Sequence, residues 1–596
     1  MHILGISCFY HDSAAALIRD GAIVAAAEEE RFSRNKHDNG FPKKAIQFCL
    51  DYAGIGSRDL DFAVFYEKPF IKFERILLSA MGTYPRSWRA FSEAMINYFD
   101  EKLWIKSIIM RELKIDAGRV LFTDHHIAHA ASAMFCSPFD QAAVLTIDGV
   151  GEWTTAAMGK ATADWGDSGR STIELQDELR FPHSLGLLYS AFTAYLGFRI
   201  NDGEYKVMGM APYGEPRYTE KVRKVVKLAE DGSIELNLDY FAFHHSATTS
   251  FTSKFVALFG PPRMPESDFY TCTTHPRKDL PGWDEAAARE NQRFADIAAS
   301  IQDVTEEIIL KMAVKAHRQT GSDNLVLAGG VALNSVANGR LMRESPFKQI
   351  YIQPAAGDSG GALGAALYVH HVVLGKPRSF VQEHCYWGAQ YSDAQTAEAL
   401  AAWGFPYRHF EDQEKLLDCA LRSILEGKVV GWFQGRFEWG PRALGSRSIL
   451  ADPRPAEMKE IVNTKIKFRE PFRPFAPAIL EEAASDYFEM QNLGSAYPPR
   501  FMLVVSPYKN GQGDKVKAVC HAGGTGRMQT IRREWNPLYY RMVEKFGEAT
   551  GIPILLNTSF NLRGEPIVSS PSDALKTFSK SGIDQLVLGQ FLVSKT

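Results

Sequence analysis

Residues 142–152 read Ala142-Ala143-Val144-Leu145-Thr146-Ile147-Asp148-Gly149-Val150-Gly151-Glu152, an apolar run that ends in an acidic, glycine-bearing turn. Thr154 to Met158 then returns as a second strand. The chain opens in the same order. Ile3 to Ser7 is an apolar run ending in Tyr10-His11-Asp12-Ser13, and Ala14 to Ile18 and Ala22 to Ala27 follow, joined by Arg19-Asp20-Gly21. A strand, a polar turn and a returning strand, occurring twice, predict a duplicated α/β unit.

Outward from these strands, helical spacing is read at Lys43 to Ala53 and Glu285 to Gln319, where Ile297, Ile301, Val304 and Ile308 recur on one face. Leu325 to Ala328 enters Gly329-Gly330-Val331-Ala332-Leu333-Asn334 as a strand followed by a glycine turn and a helix, and Ile350 to Gln353 does the same into Pro354 to Gly361. Two strand-to-glycine turns so placed suggest phosphate or nucleotide contact. Composition changes at Gly375-Lys376-Pro377-Arg378, so domains are expected over 1–375 and 376–596. The second restarts with helices Asp393 to Trp403 and Asp412 to Leu425 and a strand Val429 to Trp432. Arg223 to His275 reads as an irregular, aromatic-rich elaboration of the first domain.

The 596 residues hold 67 basic against 70 acidic side chains and are 45% hydrophobic, enough for large cores. That balance speaks against a nucleic-acid or membrane-surface binder. Seven cysteines, odd in number and never in a C-x-x-C pair, suggest a reducing compartment, the cytoplasm. No apolar run reaches the roughly 18 residues of a membrane span, and the first residues do not read as a signal peptide.

Four constellations carry chemistry. His125 and His129 are spaced i, i+4 and share one helix face, suiting a metal ion; two core histidines would look the same. Asp148 and Asp358 tip the reading towards metal, because each ends an apolar strand at a glycine turn. Two imidazoles with two carboxylates suit iron, manganese or zinc. Between Arg436 and Arg473 lie nine cations (Arg436, Arg442, Arg447, Arg454, Lys459, Lys465, Lys467, Arg469, Arg473) against five acids. A solvated basic face is the ordinary reading of such a run, but interleaved Gly, Pro and aromatic residues favour a shaped anion pocket. Asn557 to Pro566 follows an apolar strand, Ile552 to Leu556, and places Ser559 and Asn561 at a strand end, as an ordinary loop also would. His11-Asp12, equivalent to Asp148 in the repeat, is a candidate base with its orienting carboxylate, or a structural pair.

Taken together, His11-Asp12-Ser13-Ala14-Ala15-Ala16, Glu28-Glu29-Glu30-Arg31-Phe32, His125 to Ala131, Ala328-Gly329-Gly330-Val331, Gly440 to Gly445, Arg473-Pro474-Phe475-Ala476-Pro477 and Asn557 to Asn561 resemble the O-carbamoyltransferases of antibiotic, nodulation-factor and other natural-product biosynthesis. The resemblance implies a duplicated actin-like ATPase N-terminal domain, similar to the threonylcarbamoyl-transfer protein, and a YrdC-like α/β C-terminal domain. It implies that the second domain makes carbamoyl adenylate from carbamoyl phosphate and ATP, with Mg2+, and that the first passes the carbamoyl group to a hydroxyl. By motif, Arg442, Lys467, Arg473, Ser559 and Asn561 would bind carbamoyl phosphate and nucleotide, with Gly329, Gly330 and Asn334 as further contacts. His125, His129, Asp148 and Asp358 would hold a divalent metal, Fe2+ by expectation, and His11 with Asp12 would act in transfer. The expected partner is a hydroxylated small molecule, with neither nucleic acid nor membrane, and the size suits a homodimer. The aromatic stretches Tyr66 to Lys114 and Tyr240 to Phe269 could rim an acceptor cleft or pack as core. An actin-like ATP-binding regulator is the alternative. It leaves the cation cluster and the four metal-type ligands without a purpose.

Overall fold

The run 142–147 and the opening run each become the strand about which a five-stranded sheet is laid. The computed structural model describes residues 1–100, 102–166, 170–271, 283–490 and 493–595. It divides into two units, Met1–Val24 with Asn39–Val381, and Ala25–Asp38 with Gln382–Thr596. The division is not one cut in the chain: the segment Ala25–Asp38 belongs with the second unit, and the first extends to Val381 rather than 375.

In the first unit, β1 (His2–Ser7), β2 (Ala14–Arg19), β3 (Ala22–Glu28), β4 (Phe62–Phe65) and β5 (Val120–Phe122) take the order β3-β2-β1-β4-β5. The second sheet starts with β6 (Gln141–Ile147), β7 (Thr154–Thr162) and β8 (Thr172–Arg180). After a separate hairpin of β9 (Val226–Leu228) and β10 (Ile234–Leu236), β11 (Asn324–Ala328) and β12 (Gln349–Ile352) complete it as β12-β11-β6-β7-β8. β1 pairs antiparallel with β2 and parallel with β4, and β6 pairs antiparallel with β7 and parallel with β11. One strand order used twice is the duplication the sequence predicts and the plan of an actin-like domain. The turn between β2 and β3 is two residues long, Asp20 at φ 49° and Gly21 at φ 84°, the left-handed pair that a tight hairpin requires.

Both β1 and β6 are buried on both faces because helices cover them. Helix Asp358–Tyr368 packs on β1, β2 and β4, helix His125–Met134 packs on β6 and β11, and the two helices pack on each other. Their approach depends on small residues. A Cβ on Gly364 would stand 1.8 Å from the Ala128 carbonyl oxygen, and one on Gly5 would stand 1.7 Å from that of Ala362. Pro354 to Gly361, read as a glycine turn after a strand, is a turn only as far as Gly357: from Asp358 onward the segment is helix, and Gly360 and Gly361 meet the Ala355 carbonyl and the Tyr66 ring.

The stretch 223–271 is more regular than expected, with helices Thr219–Val225 and Ser253–Phe259 flanking β9 and β10. Its aromatics pack as core: Phe255 and Phe259 meet Phe192 at ring separations of 5.1 and 5.2 Å, and Phe241, Phe255 and Phe259 are buried. Cys272 lies outside the described residues. By contrast, helices Pro69–Gly82 and Trp88–Asp100 leave Phe70, Met81, Tyr84 and Trp88 exposed, with Tyr98 buried.

The second unit is built on an eight-stranded mixed sheet. Its strands are β13 (Tyr407–His409), β14 (Val430–Phe433), β15 (Arg447–Ala451), β16 (Ala476–Leu480), β19 (Gln529–Ile531), β20 (Ile554–Ser559), β21 (Gln585–Leu588) and β22 (Phe591–Ser594). The order is β13-β22-β21-β14-β15-β20-β16-β19, with β17 (Val505–Pro507) and β18 (Thr525–Arg527) forming a separate pair. Side chains alternate between two cores: Phe433, Ile449 and Ala451 join one, Val430, Trp432 and Leu450 the other. Helices Asp393–Trp403 and Gln413–Leu425 form as the sequence predicts. Among the described residues, no helix is long and apolar enough to cross a membrane.

Candidate active site

Duplication brings equivalent strand ends and helix starts to one place in the first unit. Asp148 follows β6, Asp358 opens the helix after β12, and His125 and His129 lie one turn apart in the helix after β5. All four are buried, and one ligand atom from each lies within 4.8 Å of the others. His125 Nε2 is 3.1 Å from His129 Nε2, 3.1 Å from Asp148 Oδ2 and 3.7 Å from Asp358 Oδ1. His129 Nε2 is 3.9 Å from Asp148 Oδ2 and 3.7 Å from Asp358 Oδ1. Ligands about 2.1 Å from one ion stand about 3.0 Å apart at right angles and about 3.4 Å at the tetrahedral angle, so the set fits a first-row cation. Asp358 Oδ1, facing both imidazoles, has no hydrogen-bond partner among the described residues, as a ligand oxygen would not.

The supports are second-layer hydrogen bonds. The Gly330 amide donates to Asp148 Oδ1 at 2.9 Å, and the Tyr66 hydroxyl donates to Asp358 Oδ2 at 3.3 Å. Glu152 accepts from the backbone amides of His125 and Lys68, at 3.1 and 2.8 Å. Gly329, at φ 94°, lies so close to β6 that a Cβ would sit 2.2 Å from the Ile147 carbonyl oxygen. Asn334 caps helix Ser335–Glu344 by accepting from Ala337. His126 is held instead by Thr146 and the Thr154 carbonyl.

Electrostatics follow from this crowding. Burial opposes charge on His125, but the Asp148 hydrogen bond and the Asp358 charge outweigh it and push the imidazole up to about 9. Burial, then the neighbouring His125, hold His129 well below its ordinary value. For Asp148, burial is outweighed by the hydrogen bond from His125, and the carboxyl is held down; burial leaves Asp358 raised. His11 Nδ1 is 2.6 Å from Asp12 Oδ2, and His11 Nε2 is 3.9 Å from Asp358 Oδ2. Burial is again outweighed, by Asp12 and Asp358, and His11 rises to about 9. A cation on the two carboxylates would offset the charges that hold this proton and bring His11 back towards a general base.

In the second unit, the predicted cation run separates into two sets. Arg447 is buried and donates to the carbonyls of Gln434, Ser446, Ala389 and Gly435, Arg436 donates to those of Gly388 and Trp387, and Arg454 pairs with Asp452. These hold the fold. Lys467, also buried, donates to the carbonyls of Ser559 and Asn561 at 2.7 and 2.8 Å and to Asn561 Oδ1 at 2.5 Å. Burial first, then Arg469 and Arg473, hold its amine well below the ordinary lysine value. Asn463 shapes the loop by donating to the carbonyls of Pro471 and Arg473 and accepting from Arg469.

Arg527, at the end of β18, completes this set and escaped the sequence reading. Burial and then Arg442, Arg469 and Arg473 hold its guanidinium far below the arginine range. Its only signal in the sequence is an arginine in the glycine-rich Gly523-Gly524-Thr525-Gly526 turn, far from the run that ends at Arg473. Glu470, 3.8 Å from Arg473, and Glu565, whose charge reaches Lys467, only partly balance Arg442, Lys467, Arg469, Arg473 and Arg527, and such a surplus of positive charge makes an anion site. Gly329, Gly330 and Asn334 belong to the first unit, so the residues expected to bind nucleotide and carbamoyl phosphate fall into two groups.

Comparison with known proteins bears on both units. Residues 2–367 match the family model described as Carbamoyltransferase N-terminus, and residues 421–595 match Carbamoyltransferase C-terminus. Nodulation protein NolNO of Sinorhizobium fredii is 39% identical over 603 residues, covering 98% of this chain and 79% of that protein. Nodulation protein NolO of Bradyrhizobium diazoefficiens is 39% identical over 477 residues, 79% of each chain. The 3'-hydroxymethylcephem-O-carbamoyltransferase of Amycolatopsis lactamdurans is 32% identical over 295 residues, 49% of this chain and 53% of that one. With both family models matched in order over most of its length, this chain belongs to the carbamoyltransferase family and is a transferase.

Proposed function

We propose that this protein is an ATP-dependent O-carbamoyltransferase: the second unit makes carbamoyl adenylate from carbamoyl phosphate, water and Mg-ATP, releasing phosphate and pyrophosphate, and the first transfers the carbamoyl group to a hydroxyl of a small natural product. The observation that carries the reading is the acid-poor cluster of Arg442, Lys467, Arg469, Arg473 and Arg527, in a chain of this family. Joining two anions is opposed by their repulsion, and fixed cations aimed at the developing charge lower that barrier. Lys467 holds Ser559 and Asn561 beside the same cluster.

In the first unit, His125, His129, Asp148 and Asp358 would hold the divalent metal, with Fe2+ preferred for two imidazoles and two carboxylates. Such an ion, when bound, polarises a carbonyl or phosphoryl oxygen. His11, oriented by Asp12 at 2.6 Å, takes the proton of the acceptor alcohol. The exposed aromatic residues of helices Pro69–Gly82 and Trp88–Asp100 are the better of the two acceptor surfaces, because those of 240–269 are core. The names of the relatives, a cephem carbamoyltransferase and nodulation proteins, support a natural-product acceptor. The scattered cysteines support a cytoplasmic setting.

The test is exchange of labelled pyrophosphate into ATP. The expected result is exchange that requires carbamoyl phosphate in the natural protein and is lost in Arg473→Ala with metal content unchanged. Exchange at the natural rate in that variant would remove Arg473 from the pocket, and none in the natural protein would refute adenylate formation.

A further inference from the structure

Two tyrosines stand at the edge of the histidine–aspartate centre, and they differ in one respect. The Tyr66 hydroxyl is spent on Asp358. The Tyr10 hydroxyl has no hydrogen-bond partner among the described residues, although its ring is held on two sides. Lys72 Nζ lies 4.6 Å from the Tyr10 ring centroid, and the His11 ring is 4.9 Å away. Lys72 is itself fixed, buried with Glu67 at 2.6 Å, and Glu67 directly follows Tyr66. One turn along the same helix, Arg75 donates to the Gly151 carbonyl at 2.9 Å and so ties Pro69–Gly82 to the turn that carries Asp148. The Tyr10 hydroxyl lies over that turn, 4.0 Å from where a side chain on Gly149 would begin. A rigidly held phenol has therefore been left with an open hydroxyl beside a glycine, next to a metal-type carboxylate.

The geometry points to Tyr10 as a further catalytic residue, whose hydroxyl donates a hydrogen bond to the carbamoyl oxygen during transfer. This rests on the carbamoyl-transfer reading given above. In the step, the acceptor oxygen forms a bond to the carbamoyl carbon, and the bond from that carbon to the adenylate phosphate oxygen breaks. AMP leaves with the electron pair, and the acceptor's proton passes to the His11–Asp12 pair and on to water. Negative charge collects on the carbamoyl oxygen as the new bond forms. Burial, then the Asp148 and Asp358 charges, raise the Tyr10 phenol above its ordinary value, so it stays neutral and is a donor there and not a base. Because its ring is locked, it loses little freedom when the charge develops, which is the condition for a large effect. Lys72 and Glu67 act through the ring and are positioning residues.

The experiment uses the full chain loaded with metal, with carbamoyl phosphate and ATP, and takes water as the acceptor; AMP release reports transfer and pyrophosphate release reports adenylate formation. Tyr10→Phe is expected to lower kcat for AMP release roughly 100-fold, the typical effect of removing one oxyanion donor. Metal content, melting temperature, the KM values for ATP and carbamoyl phosphate, and the initial pyrophosphate burst should stay as in the natural protein. AMP release within threefold of the natural rate would overturn the proposal, and so would a loss accompanied by loss of metal. 3-Fluorotyrosine at position 10, which makes the hydroxyl a stronger donor without removing it, should raise the rate below the phenol pKa; a fall there also overturns it. A natural protein that makes pyrophosphate but releases AMP no faster than a His125→Ala background overturns the Tyr10 role alone. A natural protein that makes no pyrophosphate refutes the carbamoyl-adenylate reading instead.

Discussion

His371 is fully buried next to the Phe135 ring, its Nδ1 donating to the Lys376 carbonyl at 3.0 Å and its Nε2 without a partner among the described residues. Burial, with His370 and Arg378 adding to it, lowers its pKa to about 4. An unfolded histidine titrates near 6.5, so between those values the unfolded chain binds the proton and the folded chain does not. The sign is fixed: this residue costs nothing above neutrality and destabilises the protein as pH falls from about 6.5 towards 4, by about 2 kcal/mol at pH 5. His371→Gln should flatten the fall in melting temperature between pH 7 and 5, and an unchanged slope would contradict the assignment. At this scale the sequence was informative where chemistry has a spacing. His125 and His129 share a face by helical geometry, and Asp148 and Asp358 follow apolar strands. Arg527 was hidden because only the sheet brings a glycine-rich turn to Arg442 and Arg473.

Three of the four metal-type residues are positioned by two helices in contact at Gly364 and Ala128. Gly364→Ala puts a carbon 1.8 Å from a backbone oxygen that no side-chain rotation can relieve, so the helices must part. A cost of about 3 kcal/mol is expected, with weaker metal binding, since one helix carries both histidines and the other carries Asp358. Calorimetry and metal analysis of the variant check this; natural stability and occupancy would show that the contact is not required. The strands β1, β2, β3 and β6 and the Asp20-Gly21 turn were legible as apolar runs with punctuation. The helix after β12 was expected too, but its start was not legible, because in Asp358-Ser359-Gly360-Gly361-Ala362 small residues chosen for close packing look like a turn when only local propensity is read.

At the scale of the whole molecule, the account assigns two chemistries to two units of one chain, adenylate formation to Gln382–Thr596 with Ala25–Asp38 and transfer to the duplicated unit. The duplication was legible because its strand order repeats, whereas the allegiance of Ala25–Asp38 was not, since nothing local distinguishes a segment that joins a distant core. The two assignments separate in one measurement on His125→Ala, which removes a candidate ligand from the first unit and changes no residue of the second. Metal content, carbamoyl-phosphate-dependent pyrophosphate exchange and AMP release are read on the same sample. The account predicts lost metal, AMP release reduced to background, and exchange at the natural rate. Exchange lost together with metal, or full AMP release without metal, would contradict it.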